Sequence, residues 1–169
     1  QGMLDSEGRL IQPDGLSEEL AERFRGTMSG REFVLSYGDN KFPHDICINQ
    51  EDINQIQLAK GAVFAACKAL MAALEASEED IEEIFLADAS SATIRPDVAL
   101  GLGLLPPVDA SRIINIGNAA WQGAYLALSN ASYLEQSEKI ATLLEGLDLT
   151  SDLIYAEEFI NAMNFDIER

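Results

Sequence analysis

Two periods of apolar and polar residues run along the chain, and the changes between them divide it into elements. Residues 3–13 are polar and turn-like, with a tight turn at 5–8. Ser17 is placed to cap a short helix over 18–25 that Gly26 ends. Residues 33–37, Phe-Val-Leu-Ser-Tyr, and 45–48, Asp-Ile-Cys-Ile, read as strands of a hairpin turning at Gly38-Asp39-Asn40. The longest helical pattern follows, over 52–76, with Asn49 as its cap and Asp52 three residues on in a capping-box arrangement. Its apolar residues Ile53, Ile56, Ala59, Val63, Cys67, Leu70 and Leu74 fall at helical spacing, and beyond Gly61 it is apolar nearly all round apart from Lys68. Such a helix is expected to be buried on two sides, against a sheet and against other helices.

The second half alternates strands and helices. An acidic helical turn over 77–83 leads into a buried strand, Ile84–Ala87. A short helix, Pro96–Leu102, has proline at its start and glycine at its end, and Pro106-Pro107 stops it. Residues 113–116 form another buried strand, and helices follow over 117–129, 131–144 and 151–165. The first of these carries Ala120, Gly123, Ala124 and Ala127 at helical spacing, which lets another backbone come close. This order predicts an α/β domain with a mixed, mostly parallel sheet flanked by helices and joined by right-handed crossovers. The early hairpin is its antiparallel edge. The strands 84–87 and 113–116 are expected to be parallel neighbours, with the long helix on one face.

Length and charge narrow the class. A chain of 169 residues suits one domain with a proper core, and no repeat or linker divides it. A net charge of −18 argues against nucleic acid or an anionic membrane as partner, because phosphates need clustered Lys and Arg. No unbroken apolar run reaches the length of a membrane span, and the first residues show neither the basic region nor the apolar core of a signal peptide. Cys47 and Cys67 have no metal-ligand spacing and read as small buried hydrophobes, which fits a reducing, cytoplasmic setting. His44 is the sole histidine, so neither a zinc nor an iron–sulfur site is expected within these residues.

Candidate chemistry begins on the long helix. Gln57, Lys60 and Phe64 share one face near its start, and a cationic spot there is either a snorkelling lysine or part of a ligand site. Asp88 with Ser90 or Ser91 has no histidine or lysine base nearby in sequence, so nucleophilic chemistry is not assigned to them. The acidic run 78–83 reads as a solvated face. Gly101-Leu102-Gly103 follows a helix and leads into prolines, unlike a dinucleotide fingerprint.

Three stretches carry a resemblance. Residues 48–62, Ile-Asn-Gln-Glu-Asp-Ile-Asn-Gln-Ile-Gln-Leu-Ala-Lys-Gly-Ala, resemble a signature of the form ITQ.DI..LQLAKGA. Residues 84–91, continuing to Gly-Leu-Leu-Pro at 103–106, resemble a strand followed by Gly-Ala-Phe-Gly and then Gly-Leu-Leu-Pro. Residues 114–120, continuing to Gln-Gly-Ala at 122–124, resemble VGNAAGAGA. Together they resemble the C-terminal domain of the reductive activators of corrinoid proteins, ferredoxin-like ATPases of the actin, sugar kinase and Hsp70 (ASKHA) superfamily, over about residues 3–165.

The resemblance implies an actin-like, ribonuclease H-type subdomain, with residues 1–169 as the C-terminal half of an actin-like ATPase domain. It implies a nucleotide in a cleft, contacted by the helix bearing Gln57 and Lys60, by the turn after Ala87 and by the start of the helix after Ile116. The candidate nucleotide-contacting residues are therefore Gln57, Lys60, Gly61, Asp88, Ala89, Ser90, Ser91, Gly117 and Asn118; no catalytic or metal-ligating residue is assigned. ATP and magnesium belong to the longer parent, an iron–sulfur cluster to its N-terminal part, and a corrinoid protein is the implied partner. The chain alone is expected not to be an enzyme, and a homodimer is expected.

Two departures matter. Asp88 stands where the resemblance has glycine, with Ser90 and Ser91 where glycine recurs, and a carboxylate there repels phosphate. Trp121 replaces a small residue. Two readings therefore stay open: part of an ATP-dependent activator, or a dimerisation or docking module that keeps the fold without the nucleotide.

Overall fold

A computed structural model of the chain describes residues 2–28, 30–87 and 94–165. Its first half is built on an antiparallel sheet of three strands, β1 (Phe24–Thr27), β2 (Gly30–Ser36) and β3 (Ile46–Asn49), in that spatial order. The helix expected over 18–25 is shorter: α1 spans Glu18–Ala21, and the residues after it become β1. The reason is cross-strand. Phe24 lies opposite Phe33, their rings meeting edge-on at 5.0 Å, and the Arg23 guanidinium donates to the carbonyls of Val34 and Leu35 at 3.3 and 3.1 Å.

The long helix, α2, spans Gln50–Ala73. Asn49 caps it as expected: its side chain accepts from the Glu51 and Asp52 amides at 2.8 and 3.1 Å, and Asp52 accepts the Asn49 amide at 2.9 Å. The buried stripe differs from the expected one. Ile53, Gln57, Gly61, Ala65 and Ala69 form a buried row four residues apart, joined by Lys60, whereas Val63, Leu70 and Leu74 are exposed. Small residues win these positions because another helix, α6 (Leu153–Ala162), lies directly on them. A methyl group added at Gly61 would stand 3.1 Å from the Phe159 carbonyl oxygen and 3.2 Å from Met163 Cγ. Row-into-row packing at this distance leaves no room for the large residues of the apolar stripe, which turn outward.

The second half contains a parallel pair, β4 (Ile84–Ala87) and β5 (Ile113–Gly117), with Ile84 opposite Ile113 and Ala87 opposite Gly117. Their adjacency and direction are as expected. Between them runs α3 (Pro96–Leu102), with proline in its first turn and Gly103 in the left-handed conformation as its C-cap. Ala99, Leu105 and Ile113 form a buried core there, packed by Ile84, Leu86, Leu100, Leu104 and Val108. The parallel pair thus carries α3 and the 104–108 segment, while the chief neighbour of α2 is α6, with β2 and β3 also touching it. The α/β class with helices flanking small sheets is established, but the strands lie in two sheets: the early strands form one of their own instead of an edge on the parallel pair.

Asn118 caps α4 (Ala119–Ser129) by accepting the Trp121 amide at 2.9 Å. Asn130 caps α5 (Ala131–Ala141), which packs on α4. The last two helices are shorter at their ends than the sequence pattern suggests, as terminal turns usually are.

One expectation needs correcting. By length and average composition α2 is apolar enough to cross a bilayer, because counting only unbroken apolar runs overlooks a helix whose two lysines are outweighed by Ile, Leu, Val and Ala. Length and composition are a weak criterion, and this helix buries Gln57 and Lys60 among protein groups.

The contact at Gly61 generates a test. Gly61→Val is expected to force α6 away from α2 and destabilise the fold by about 1–3 kcal/mol. Urea unfolding measures this, with Ala59→Val on the exposed side as a comparison that costs about 0.5 kcal/mol.

Candidate functional site

Four segments converge near the start of α2: the N-terminal turn, α2 itself, the end of α3 and the end of α6. The turn is self-contained, with Asp5 Oδ1 accepting the Glu7 and Arg9 amides at 3.0 and 2.8 Å. Two amides of α2 then hold it. Gln50 accepts the Leu10 amide at 2.9 Å and donates to the Gly8 carbonyl at 2.8 Å. Gln57 Nε2 donates to the Glu7 carbonyl at 3.0 Å and to the Met163 carbonyl at 2.9 Å, so one carboxamide ties the turn to the end of α6. Gly8 makes this possible: its φ is +78°, and a Cβ there would lie 2.4 Å from Gln57 Nε2.

One turn along α2, Lys60 is 4% exposed. Its ammonium donates to the Asn164 carbonyl at 2.6 Å and lies 5.0 Å from the Phe165 ring centre. That carbonyl lies just beyond the C-terminus of α6, where a helix presents unsatisfied acceptors and the negative end of its dipole. Lys60 is therefore a buried cation held by protein groups, and it also lines a cleft of about 280 Å³. Phe64, the Leu100–Gly103 segment, Glu158 and Asn161 complete much of its wall. The cleft offers one ammonium, side-chain amides and the backbone around two glycines. That donor set suits a nucleoside or a single phosphate better than a triphosphate, since Glu158 adds a carboxylate.

The sequence-derived candidates fall into separate groups. Gln57, Lys60 and Gly61 are together on the buried row of α2, with Gly61 spent on the contact with α6. Gly117, at φ +63°, and Asn118 stand where β5 passes into α4. Neither lines the Lys60 cleft. Asp88, Ala89, Ser90 and Ser91 lie outside the described residues; Asp88 follows Ala87, whose register partner is Gly117. Sequence reasoning missed Glu158, Asn161 and the Asn164–Phe165 wall, because α6 reaches the cleft only through its packing on α2. The glycines at 61 and 8 were the available signals of close approach.

The residues present do not fit an iron–sulfur cluster. Cys47 on β3 and Cys67 on α2 are separate free thiols, both with pKa pushed up first of all by desolvation. Among the described residues no group of three or more His, Cys, Asp or Glu could hold a metal ion.

Trp121 and Tyr125 on α4 are 64% and 60% exposed and stack with ring centres 5.7 Å apart. This pair belongs to the surface, one helix turn beyond the end of the parallel strands.

Comparisons with known proteins agree on one family. The family model described as the C-terminal domain of RACo, the ASKHA domain, matches residues 1–169. The corrinoid activation enzyme RamQ of Eubacterium limosum is 28% identical over 163 residues, which cover 95% of this chain and 28% of that protein. The solved structure of a reductive activator for a corrinoid, iron–sulfur protein superposes with a TM-score of 0.85 at 27% identity, over 97% of this chain and 26% of that one. The chain thus spans about a quarter of the length of the relatives it matches.

The clamp at Gln57 is testable directly. Gln57→Leu keeps the volume but withdraws both donors, leaving the Glu7 and Met163 carbonyls unpaired. The expected loss is about 1–3 kcal/mol in urea unfolding, together with faster exchange of the Phe165 amide, which the Ser6 carbonyl accepts at 2.9 Å.

Proposed function

The chain belongs to the family of C-terminal ASKHA domains of RACo, and from that premise we propose that it is the second half of the actin-like ATPase domain of a reductive activator serving a corrinoid protein. In the parent protein, ATP binding and hydrolysis drive a low-potential electron from an iron–sulfur cluster onto Co(II) of the corrinoid, returning it to Co(I) for methyl transfer. Magnesium accompanies the nucleotide. The cluster belongs to another part of the parent, because the cysteines here cannot hold it.

The observation that carries this reading is the Lys60 cleft, built by the signature stretch in a chain that the family model matches end to end. In this proposal Lys60, Asn161 and the Gly101–Gly103 backbone meet the nucleoside end of the nucleotide. The β- and γ-phosphates are held elsewhere in the parent. The chain alone is then neither a nucleotide hydrolase nor a redox enzyme, and its setting is the cytoplasm.

A second reading has its own observation. Trp121, Tyr125 and the 89%-exposed Leu128 give α4 an apolar outer face, which favours a role in homodimerisation or in docking the corrinoid protein. The two readings are compatible in one protein and separable by experiment.

Calorimetric titration with Mg-ATP tests the first. The unmodified chain is expected to bind weakly or not at all, because Asp88 places a carboxylate where the family has glycine. Asp88→Gly is expected to gain measurable affinity. Tight binding by the unmodified chain would overturn the expectation. Sedimentation at micromolar to millimolar concentration tests the second: a dimer is expected, and Trp121→Ala should shift it toward monomer.

A further inference from the structure

Helices α4 and α5 are joined by a single residue, Asn130, which ends the one and caps the other. The main-chain ladder is intact on both sides of it. The Asn130 amide donates to the Leu126 carbonyl at 3.1 Å, as in a continuing helix, and the Leu134 amide donates to the Asn130 carbonyl at 3.4 Å. One pair of torsions interrupts the helix, φ −153° and ψ 124° at Asn130, against about −63° and −42° in a regular helix. Two amides are diverted by the break. Ser132 donates to Asn130 Oδ1 at 2.9 Å and Tyr133 to the Asn130 carbonyl at 3.0 Å, where a continuous helix would use the Leu128 and Ser129 carbonyls. The Asn130 side chain thus stands in for a main-chain acceptor. Little else holds the bend. All 11 residues of α5 are exposed. Its chief neighbour is α4, and the 142–152 connection to α6 carries no helix or strand. A helix of that length standing alone is marginal in water.

We propose that Asn130 is a one-residue hinge between two forms of this arm: the bent form seen in the structure, and a single helix over residues 119–141. The hinge does not depend on nucleotide. Its two forms exchange one set of bonds for another. Straightening gives Ser132 and Tyr133 the Leu128 and Ser129 carbonyls as acceptors, and merges two short helices into one roughly 35 Å long. It gives up the side-chain cap and the contact between α4 and α5. That contact is thin, because α5 is exposed along its whole length. Asparagine suits the position: it is a strong N-cap and a weak helix former, so it holds the bend without locking it. The straight form also changes the surface. Leu126, Tyr133 and Ile140 are seven residues apart and share one side of a single helix, whereas the bend divides them between two helix axes. The hinge therefore sets both the reach of the arm and the apolar surface along it.

Heteronuclear NMR with amide hydrogen exchange tests the hinge, because a hinge and a simple cap respond to one substitution with opposite signs. Asn130→Ala removes the cap and supplies the best helix former. Were Asn130 a cap alone, α5 would fray: the Ser132 amide would exchange faster and residues 131–141 would move toward random-coil shifts. A hinge gives the reverse. Residue 130 is expected to take a helical Cα shift, with proton contacts appearing between Leu128 and Ala131 and between Ser129 and Ser132. Exchange at Ser132 is expected to slow about tenfold. Asn130→Gly removes the cap and disfavours helix, and should fray α5 instead. Unchanged exchange at Ala65, in the buried row of α2, shows that the body is intact in each variant. Faster or unchanged exchange at Ser132 in Asn130→Ala, or an extended shift at residue 130, overturns the proposal. Should that variant fail to fold, Asn130→Gln decides by the same criteria, since glutamine is also a better helix former than asparagine.

Discussion

The Gln57 carboxamide is the constraint on which the arrangement depends. It stands on a buried row of α2, where a polar side chain is costly unless every donor is used. Both of its Nε2 bonds go to backbone carbonyls from opposite ends of the chain, Glu7 and Met163. Each carbonyl lies where regular structure gives it no ladder partner: one in a tight turn, the other just past a helix end. The amide thus satisfies two acceptors and fixes two chain segments with one side chain. Lys60 repeats this logic a turn later, using the end of α6 as a counter-dipole. A signature that looks like a ligand motif is, in its described contacts, first a structural clamp. It builds the cleft before anything binds there.

What was legible in the sequence follows from the range of each signal. The capping box at Asn49 and Asp52 and the proline start and glycine end of α3 are local, and the structure contains them all. The apolar runs of β4 and β5 also suffice to make them parallel neighbours. Strand β1 was not legible, because its signal is the pairing of Phe24 with Phe33 across the sheet rather than any periodicity of its own. The buried side of α2 was misread for a related reason. Periodicity finds the face that is most apolar, but the face that α6 covers is the one where backbone can approach backbone, at Gly61, Ala65 and Ala69. Within the site, Gln57 and Lys60 were recognisable as polar residues out of place. Their partners were not, because those are main-chain carbonyls 50 to 106 residues away, and a carbonyl has no sequence signature.

That misreading has a physical consequence. Several large apolar residues of α2 face outward: Leu58, Val63, Leu70 and Leu74 are 44%, 41%, 50% and 76% exposed, while Ile53 is buried. Helix α4 does the same with Trp121, Tyr125 and Leu128. Scattered apolar residues on a surface need no explanation, but runs of them along two helices mark surfaces that protein covers. The small parallel pair points the same way, since Phe85 and Ile114 are 56% and 37% exposed on strands of a kind usually buried on both faces. The relatives are about four times as long as the matched region.

Charge decides how such a surface is used. A net charge of −18 keeps copies of the chain apart at long range, even though their apolar faces attract at contact. Acidic side chains follow α2 at Glu78, Glu79 and Asp80, with Glu78 paired to Lys68 at 2.6 Å, whereas α4 carries no charged residue. Repulsion of this kind weakens with salt, while apolar burial does not. An association of two copies through α4 is therefore expected to strengthen as salt is raised. Lys60 is a buried cation in a chain of net charge −18, and its ammonium is held by the Asn164 carbonyl at 2.6 Å and lies 5.0 Å from the Phe165 ring centre.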